Sequence, residues 1–182
     1  MAIRADDSSL APEDLRAVER RAQKILDKSA AWGRFPTPVD DILAAAKLRV
    51  EAKSLHDAEG FLAYLTGKAA MAAEQAVQKI KAVKSALSKV FGIYDPADAT
   101  IHIDPDVSKS KQTFLKLHET GHHELPAHRT LFRLFQDCDK TLAPDVADRF
   151  EREANNFARF ALFQGDGYAG IAADHKMAVK TP

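Results

Sequence analysis

Apolar positions divide the chain into helical and alternating stretches. From Pro12 to Ala31, Leu15, Val18, Ala22, Ile25 and Leu26 recur every three or four residues, which predicts an amphipathic helix behind a polar N-terminal tail over residues 1–11. Trp32-Gly33 and Pro36-Thr37-Pro38 interrupt it. Thr37-Pro-Val-Asp40 reads as a capping box opening a second helix through Ala46. Leu48-Arg-Val-Glu-Ala52 alternates like a strand, and Phe91–Tyr94, Asp95–Asp98 and Ala99–Ile103 read as strand, turn, strand. Gly60–Leu65 is apolar but of undecided type. Between them, residues 68–90 are rich in Ala and Lys, lack Gly and Pro, and carry a helical stripe of Val77, Ile80, Leu87 and Val90.

The second half holds two stronger helices. Ser108 or Ser110 can cap a helix whose Phe114, Leu117, His118, Gly121, His122 and Leu125 share one face, and Pro126 stops it. Arg129–Gln136 is a further helix or lid. Pro144 suits a first helical position, Asp145 and Asp148 complement the dipole, and the helix runs to about Phe163. Gly165, Gly167 and Gly170 mark residues 164–182 as a flexible tail. The whole predicts an α+β fold: one mostly helical domain over residues 12–163, with a small antiparallel sheet beside the histidine-bearing helix and residues 68–90 as a helical insertion.

Composition narrows the classes. Lys plus Arg equals Asp plus Glu at 26 each, so no global charge favours nucleic acid. Five lysines over 68–90 (Lys68, Lys79, Lys81, Lys84, Lys89) face only Glu74. A solvated helix face explains them, with an acidic partner or DNA phosphate as the alternative. The single Cys138 allows no internal disulfide and fits a reducing compartment. Without an apolar leader or an 18-residue apolar run, the expectation is a cytoplasmic protein with no membrane partner.

The chemistry concentrates in His118-Glu119-Thr120-Gly121-His122. Histidines four apart on a helix present two imidazoles to one point, where a zinc ion takes them at about 2.0–2.1 Å. Glu119 then stands over the open position, as a general base toward a water. This is the zincin motif; the bland alternative is a surface helix with satisfied histidines. Gly121 costs about 1 kcal/mol in a helix relative to Ala, acceptable where another element must approach closely.

A third ligand comes from the second helix, where Glu151 and Glu153 compete. Glu151 shares its face with Ala147, Ala154, Asn155 and Ala158, small residues that let another helix close in. Glu153 is turned about 200° away, beside Arg149, Asn156 and Phe160. Glu151 is therefore the better ligand, and Asn155 is placed to hydrogen-bond a ligating histidine. On the strand Ala99–Ile103, Ile101 and Ile103 point one way and His102 the other, so His102, like Tyr94, is a candidate to steady an oxyanion, against an ordinary surface role. His123, about 100° from His122, is a weak metal candidate and expected to be exposed; His128 is also close to the motif.

His118-Glu-Thr-Gly-His122 followed by Glu151-Arg-Glu-Ala-Asn-Asn-Phe-Ala158 resembles the ImmA/IrrE family of metallopeptidases. Ile101-His-Ile-Asp104 is similar to the strand before that family's zinc helix, and Pro36–Leu43 to its early helix. The likeness touches most of residues 15–163, although only the two helices are specific. It departs from the family at the 68–90 helix and at Phe160-Ala-Leu-Phe-Gln-Gly. The resemblance implies a gluzincin-type site with one zinc per chain on His118, His122 and Glu151. It also implies endopeptidase action on a protein substrate, a helix-turn-helix repressor encoded nearby, whose cleavage or disabling switches on mobile-element or stress genes. Two rivals are a zinc-containing regulator that binds a repressor or other partner without proteolysis, and a helical interaction module working through the lysine-rich helix.

Overall fold

The computed structural model describes residues 9–52, 92–130, 144–165 and 167. The expectations for Gly60–Leu65, residues 68–90, Phe91, residues 131–136, Cys138 and most of the C-terminal tail lie outside the described residues.

Helix α1 spans Pro12–Lys28. Its Pro sits in the first turn, with Glu13 and Asp14 there and Lys28 in the last, each with a charge that suits the dipole. Ser29 closes it by donating to the Ile25 and Leu26 carbonyls at 2.8 and 3.1 Å. Helix α2, Val39–Ala46, ends on Lys47 in the left-handed region at φ 59°. The capping box expected at Thr37 does not form. Pro38 is the N-cap with no side-chain bond, and the Thr37 hydroxyl instead donates to the Leu162 carbonyl at 2.7 Å. A tertiary partner outcompetes the local one.

Three short strands follow: β1 (Arg49–Ala52), β2 (Gly92–Asp95) and β3 (Thr100–Ile103), in the order β1-β3-β2. β2 and β3 are antiparallel, as the tight Asp95–Asp98 connection requires, with Tyr94 opposite Ile101. β1 pairs with β3 in parallel, with Val50 opposite Ile101. The sheet is therefore mixed, not antiparallel. A long connection separates β1 from β3, and nothing local sets its direction. β3 is consequently the middle strand of the described sheet and buried throughout.

Helices α3 (Lys109–Glu124) and α4 (Pro144–Phe163) complete the described elements, with a further helical stretch over 126–130. α4 packs against both α1 and α3. One core joins Val18, Ile25 and Leu26 of α1, Ile42 and Leu43 of α2, Ile101 and Ile103 of β3, Leu117 of α3 and Phe157, Ala158 and Ala161 of α4. The fold is α+β, and no described helix is long and apolar enough to cross a membrane.

Both presumed tails begin inside this unit. Leu10 packs on the core, and Gln164 is buried. Gln164 accepts from the Gly33 amide at 2.6 Å and donates to the carbonyls of Ala31 and Arg34, each at 3.1 Å, clamping the end of α4 to the loop after α1.

Candidate metal centre

Ser108 caps α3 by accepting from the Lys111 amide, and Leu125 ends it in an extended conformation ahead of Pro126. The helix is exposed at Lys109–Lys111 and part-buried to Lys116, but from Leu117 to His122 every residue is buried. Gly121 makes this possible. A Cβ there would stand 3.1 Å from Phe157 Cβ and 3.2 Å from its ring, so α4 crosses α3 closer than any other residue permits. Glu151, fewer than two turns upstream of Phe157 on α4, is thereby laid over the two histidines.

Three donors converge. His118 Nε2 and His122 Nε2 are 3.2 Å apart; Glu151 Oε2 is 3.3 Å from the first and Glu151 Oε1 3.6 Å from the second. A tetrahedral ion with bonds of about 2.0–2.1 Å holds its ligand atoms roughly 3.3 Å from one another. Each imidazole nitrogen thus has the other and one Glu151 oxygen near that spacing, and His118, His122 and Glu151 can hold a metal ion. Asn155, one turn after Glu151, brings its Oδ1 to 3.0 Å from His118 Nδ1, the nitrogen turned away from the donor cluster. Glu153 takes no part in the cluster, so of the two competing carboxylates the structure brings Glu151 to the histidines.

The electrostatics are those of a site short of positive charge. Burial lowers the pKa of His118, but the Glu151 hydrogen bond and the charges of Glu119 and Glu151 outweigh it, and the net shift is upward. His122 is held well below its ordinary value by burial and by the His118 charge. Burial pushes Glu151 up, yet the His118 hydrogen bond and the imidazole charges bring it down to about 2. Glu119 is pushed up to about 7, by burial first and then by Glu151, against the opposing pull of His118 and a hydrogen bond from the Tyr94 backbone.

The other candidates fall elsewhere. Gly92 and Tyr94 lie on the sheet face that meets α3, where Gly92 approaches Leu115 and Glu119 Oε1. The Tyr94 hydroxyl is 2.7 Å from His123 Nδ1, one step around the helix from the ligand face. His123 is accordingly half-buried, not exposed. His102 is fully buried, opposite Glu51 and Ile93 in register, with its Nδ1 3.6 Å from Glu51 Oε2. Strand alternation puts it on the sheet face away from α3, so it does not face the metal cluster.

One further histidine, to which the sequence alone assigns no role, adjoins the cluster. His128 is buried, with its Nδ1 3.0 Å from His122 Nδ1. It stands ten residues after His118, the interval at which one class of zinc hydrolases takes its third ligand through H-E-x-x-H-x-x-G-x-x-H. That spacing was the available signal. Here Leu125 replaces the glycine and Pro126 starts a new helical turn, which sets His128 behind His122 and away from the converging Nε2 atoms.

Comparison with protein-family models, with curated proteins and with solved structures finds no match to this chain.

Proposed function

We propose that the chain is a zinc-dependent endopeptidase of the ImmA/IrrE type, with a zincin-like arrangement in which Glu119 is the general base. The observation that carries this reading is the convergence of His118 Nε2 and His122 Nε2, 3.2 Å apart, on the Glu151 carboxylate, whose Oε2 lies 3.3 Å from the first and whose Oε1 lies 3.6 Å from the second, beside the buried Glu119. Two imidazoles and one carboxylate are a set that zinc takes in hydrolases. When bound, zinc supplies a Lewis acid that acidifies a water and polarises a carbonyl.

The chain's own groups do the rest. Glu119 accepts the proton of the attacking water and returns it to the leaving amine. Burial and the Tyr94 backbone hydrogen bond hold its carboxylate in place. Asn155 orients the His118 ring. β2, the strand against Glu119, is the element placed to line up an extended peptide by backbone pairing; β3, inside the sheet, is not. The substrate class follows the resemblance: a helix-turn-helix repressor.

The test is incubation of zinc-loaded protein, beside Glu119→Gln, with repressors encoded near the gene. Cleavage by the first and a loss of about 10²–10⁴-fold in the second supports the proposal. A repressor released intact from DNA by both proteins supports a regulator that works by binding alone. No effect by either rejects the substrate class.

A further inference from the structure

Behind the metal cluster runs a line of hydrogen bonds that the hydrolytic chemistry does not use. His122 Nδ1 is 3.0 Å from His128 Nδ1, and His128 Nε2 is 2.7 Å from Glu153 Oε2. Arg149 Nε donates to Glu153 Oε1 at 2.7 Å, and Arg149 Nη2 donates to Asp14 Oδ1 on α1 at 2.9 Å. His128 is fully buried and stacked on Phe150, ring centroids 3.9 Å apart and 19° between planes. Its imidazole is thus fixed in rotation and fastened at both nitrogens.

The direction of these bonds follows from the metal site. A neutral histidine that offers Nε2 to a metal keeps its proton on Nδ1 and can only donate there. His128 Nδ1 must therefore accept, which places the His128 proton on Nε2. That nitrogen faces a carboxylate oxygen, an acceptor, and the carboxylate's other oxygen is satisfied by a guanidinium. The two histidine links thus run in one sense, from His122 through His128 to Glu153, and Arg149 donates to the same carboxylate from the other side. The opposite sense would turn the His122 Nε2 lone pair into an N–H pointed at the ion.

We propose that His128 is a positioning residue for metal binding: with Glu153 and Arg149 behind it, it fixes His122 in the tautomer and orientation that present Nε2 to the metal. Outer partners of this kind typically change metal affinity by about 10–100-fold. The proposal rests on the reading of His118, His122 and Glu151 as a metal site. It extends that reading by making the affinity depend on groups that touch neither metal nor substrate, reaching as far as α1.

The experiment is a cobalt(II) titration of the metal-free full chain, followed by ligand-field absorption, with the Kd taken by chelator competition. Wild type should bind with a tetrahedral spectrum and His118→Ala should not. His128→Leu should bind about 10–100-fold more weakly with its bands unmoved, because the ligands are unchanged. His128→Asn returns an acceptor near the Nδ1 position without restoring the ring, and should recover at least about half of the logarithmic loss. A residue that mattered only by filling space would gain nothing from Asn. Glu153→Gln, which keeps the shape but weakens the acceptor for Nε2–H, should fall between and carries the test if His128→Leu does not fold. Wild-type affinity in both His128→Leu and Glu153→Gln overturns the proposal. So does complete loss of cobalt in His128→Leu, which would make His128 a ligand. Failure of wild type itself to bind cobalt overturns the metal reading instead.

Discussion

Gly121→Ala isolates the contact on which the site's geometry depends. In a free helix the substitution stabilises by about 1 kcal/mol. Here the new methyl meets Phe157 Cβ at 3.1 Å, Cγ at 3.2 Å and Cδ1 at 3.2 Å, well inside ordinary carbon contact. The nearest atom is the root of the side chain, which no rotamer can move, and Phe157 is fully buried, so its ring has nowhere to swing. Relief requires α4 to shift by a few tenths of an ångström against α3. Overpacking of this kind costs about 1–3 kcal/mol; with the backbone itself involved we place it in the upper half, leaving a net destabilisation of about 1–2 kcal/mol. Urea unfolding of the metal-free protein measures it directly. α4 also carries Glu151, so metal affinity should fall in the same variant. A Gly121→Ala protein as stable as wild type or more so, with unchanged affinity, would refute the close approach and leave Gly121 a mere helix defect.

Four further outcomes follow from the same structure. Glu151→Ala should lose bound metal, while Glu153→Ala should keep a weakened site; metal content after dialysis separates them. Metal affinity should fall about tenfold per pH unit as His118 takes up its proton, and because that histidine is raised above its ordinary value the fall begins at a higher pH than for a free imidazole. Chelator competition between about pH 6 and 8 would show it, and a flat profile would contradict it. Glu153 is pushed up by burial but held below the ordinary carboxylate value by hydrogen bonds from His128 and Arg149. Its contribution to metal-free stability is thus present above about pH 4.5 and lost as pH falls further, and Glu153→Gln should flatten that acid loss in urea melts. Gln164→Ala removes the side-chain partner of the Gly33 amide and of the Arg34 carbonyl, and one of two donors to the Ala31 carbonyl. It should cost about 2–3 kcal/mol, and a loss under about 0.5 kcal/mol would mean that water replaces the clamp.

Features set within one helix were legible from the residues. The i, i+4 histidines, the Ser108 cap, the end at Pro126, the run of α4 from Pro144 to Phe163 and the small-residue face around Glu151 all depend on periodicity and neighbours three or four positions away. Even the reason for Gly121 could be stated in advance, since a glycine inside a helix implies an approaching neighbour. What escaped depends on which distant element arrives. Glu153 lies about 200° from Glu151 and would be solvated on an isolated helix; it is buried because residues 126–130 bring His128 against it. Thr37 has a good local capping pattern, but the Leu162 carbonyl takes its hydroxyl. His102 alternates correctly with Ile101 and Ile103, and its face was legible only as opposite to theirs. Which face meets α3 is decided by the pairing with β1 and β2, and no residue of β3 encodes that pairing.

The charge pattern links the three candidate ligands to Glu119. Without a cation, Glu119 is pushed up to about 7 while Glu151 is held down at about 2, and His118 is raised toward its charged form. The cluster supplies its own positive charge as a proton on His118. That proton stabilises the metal-free fold below the ordinary histidine value, and its contribution is lost as pH rises through the raised value. Metal binding strengthens over the same interval, because the ligand must be neutral. Under the proposed function, a divalent charge on the three donors replaces the proton and stands beside Glu119, where it opposes the burial and the Glu151 charge that keep that carboxyl protonated. Filling the donors thus shifts Glu119 toward the carboxylate that can accept a proton. The base is therefore armed by the same event that completes the site, and a chain whose metal has been stripped should hold Glu119 largely protonated near pH 6, a state that carboxyl infrared bands in wild type against Glu119→Gln would reveal.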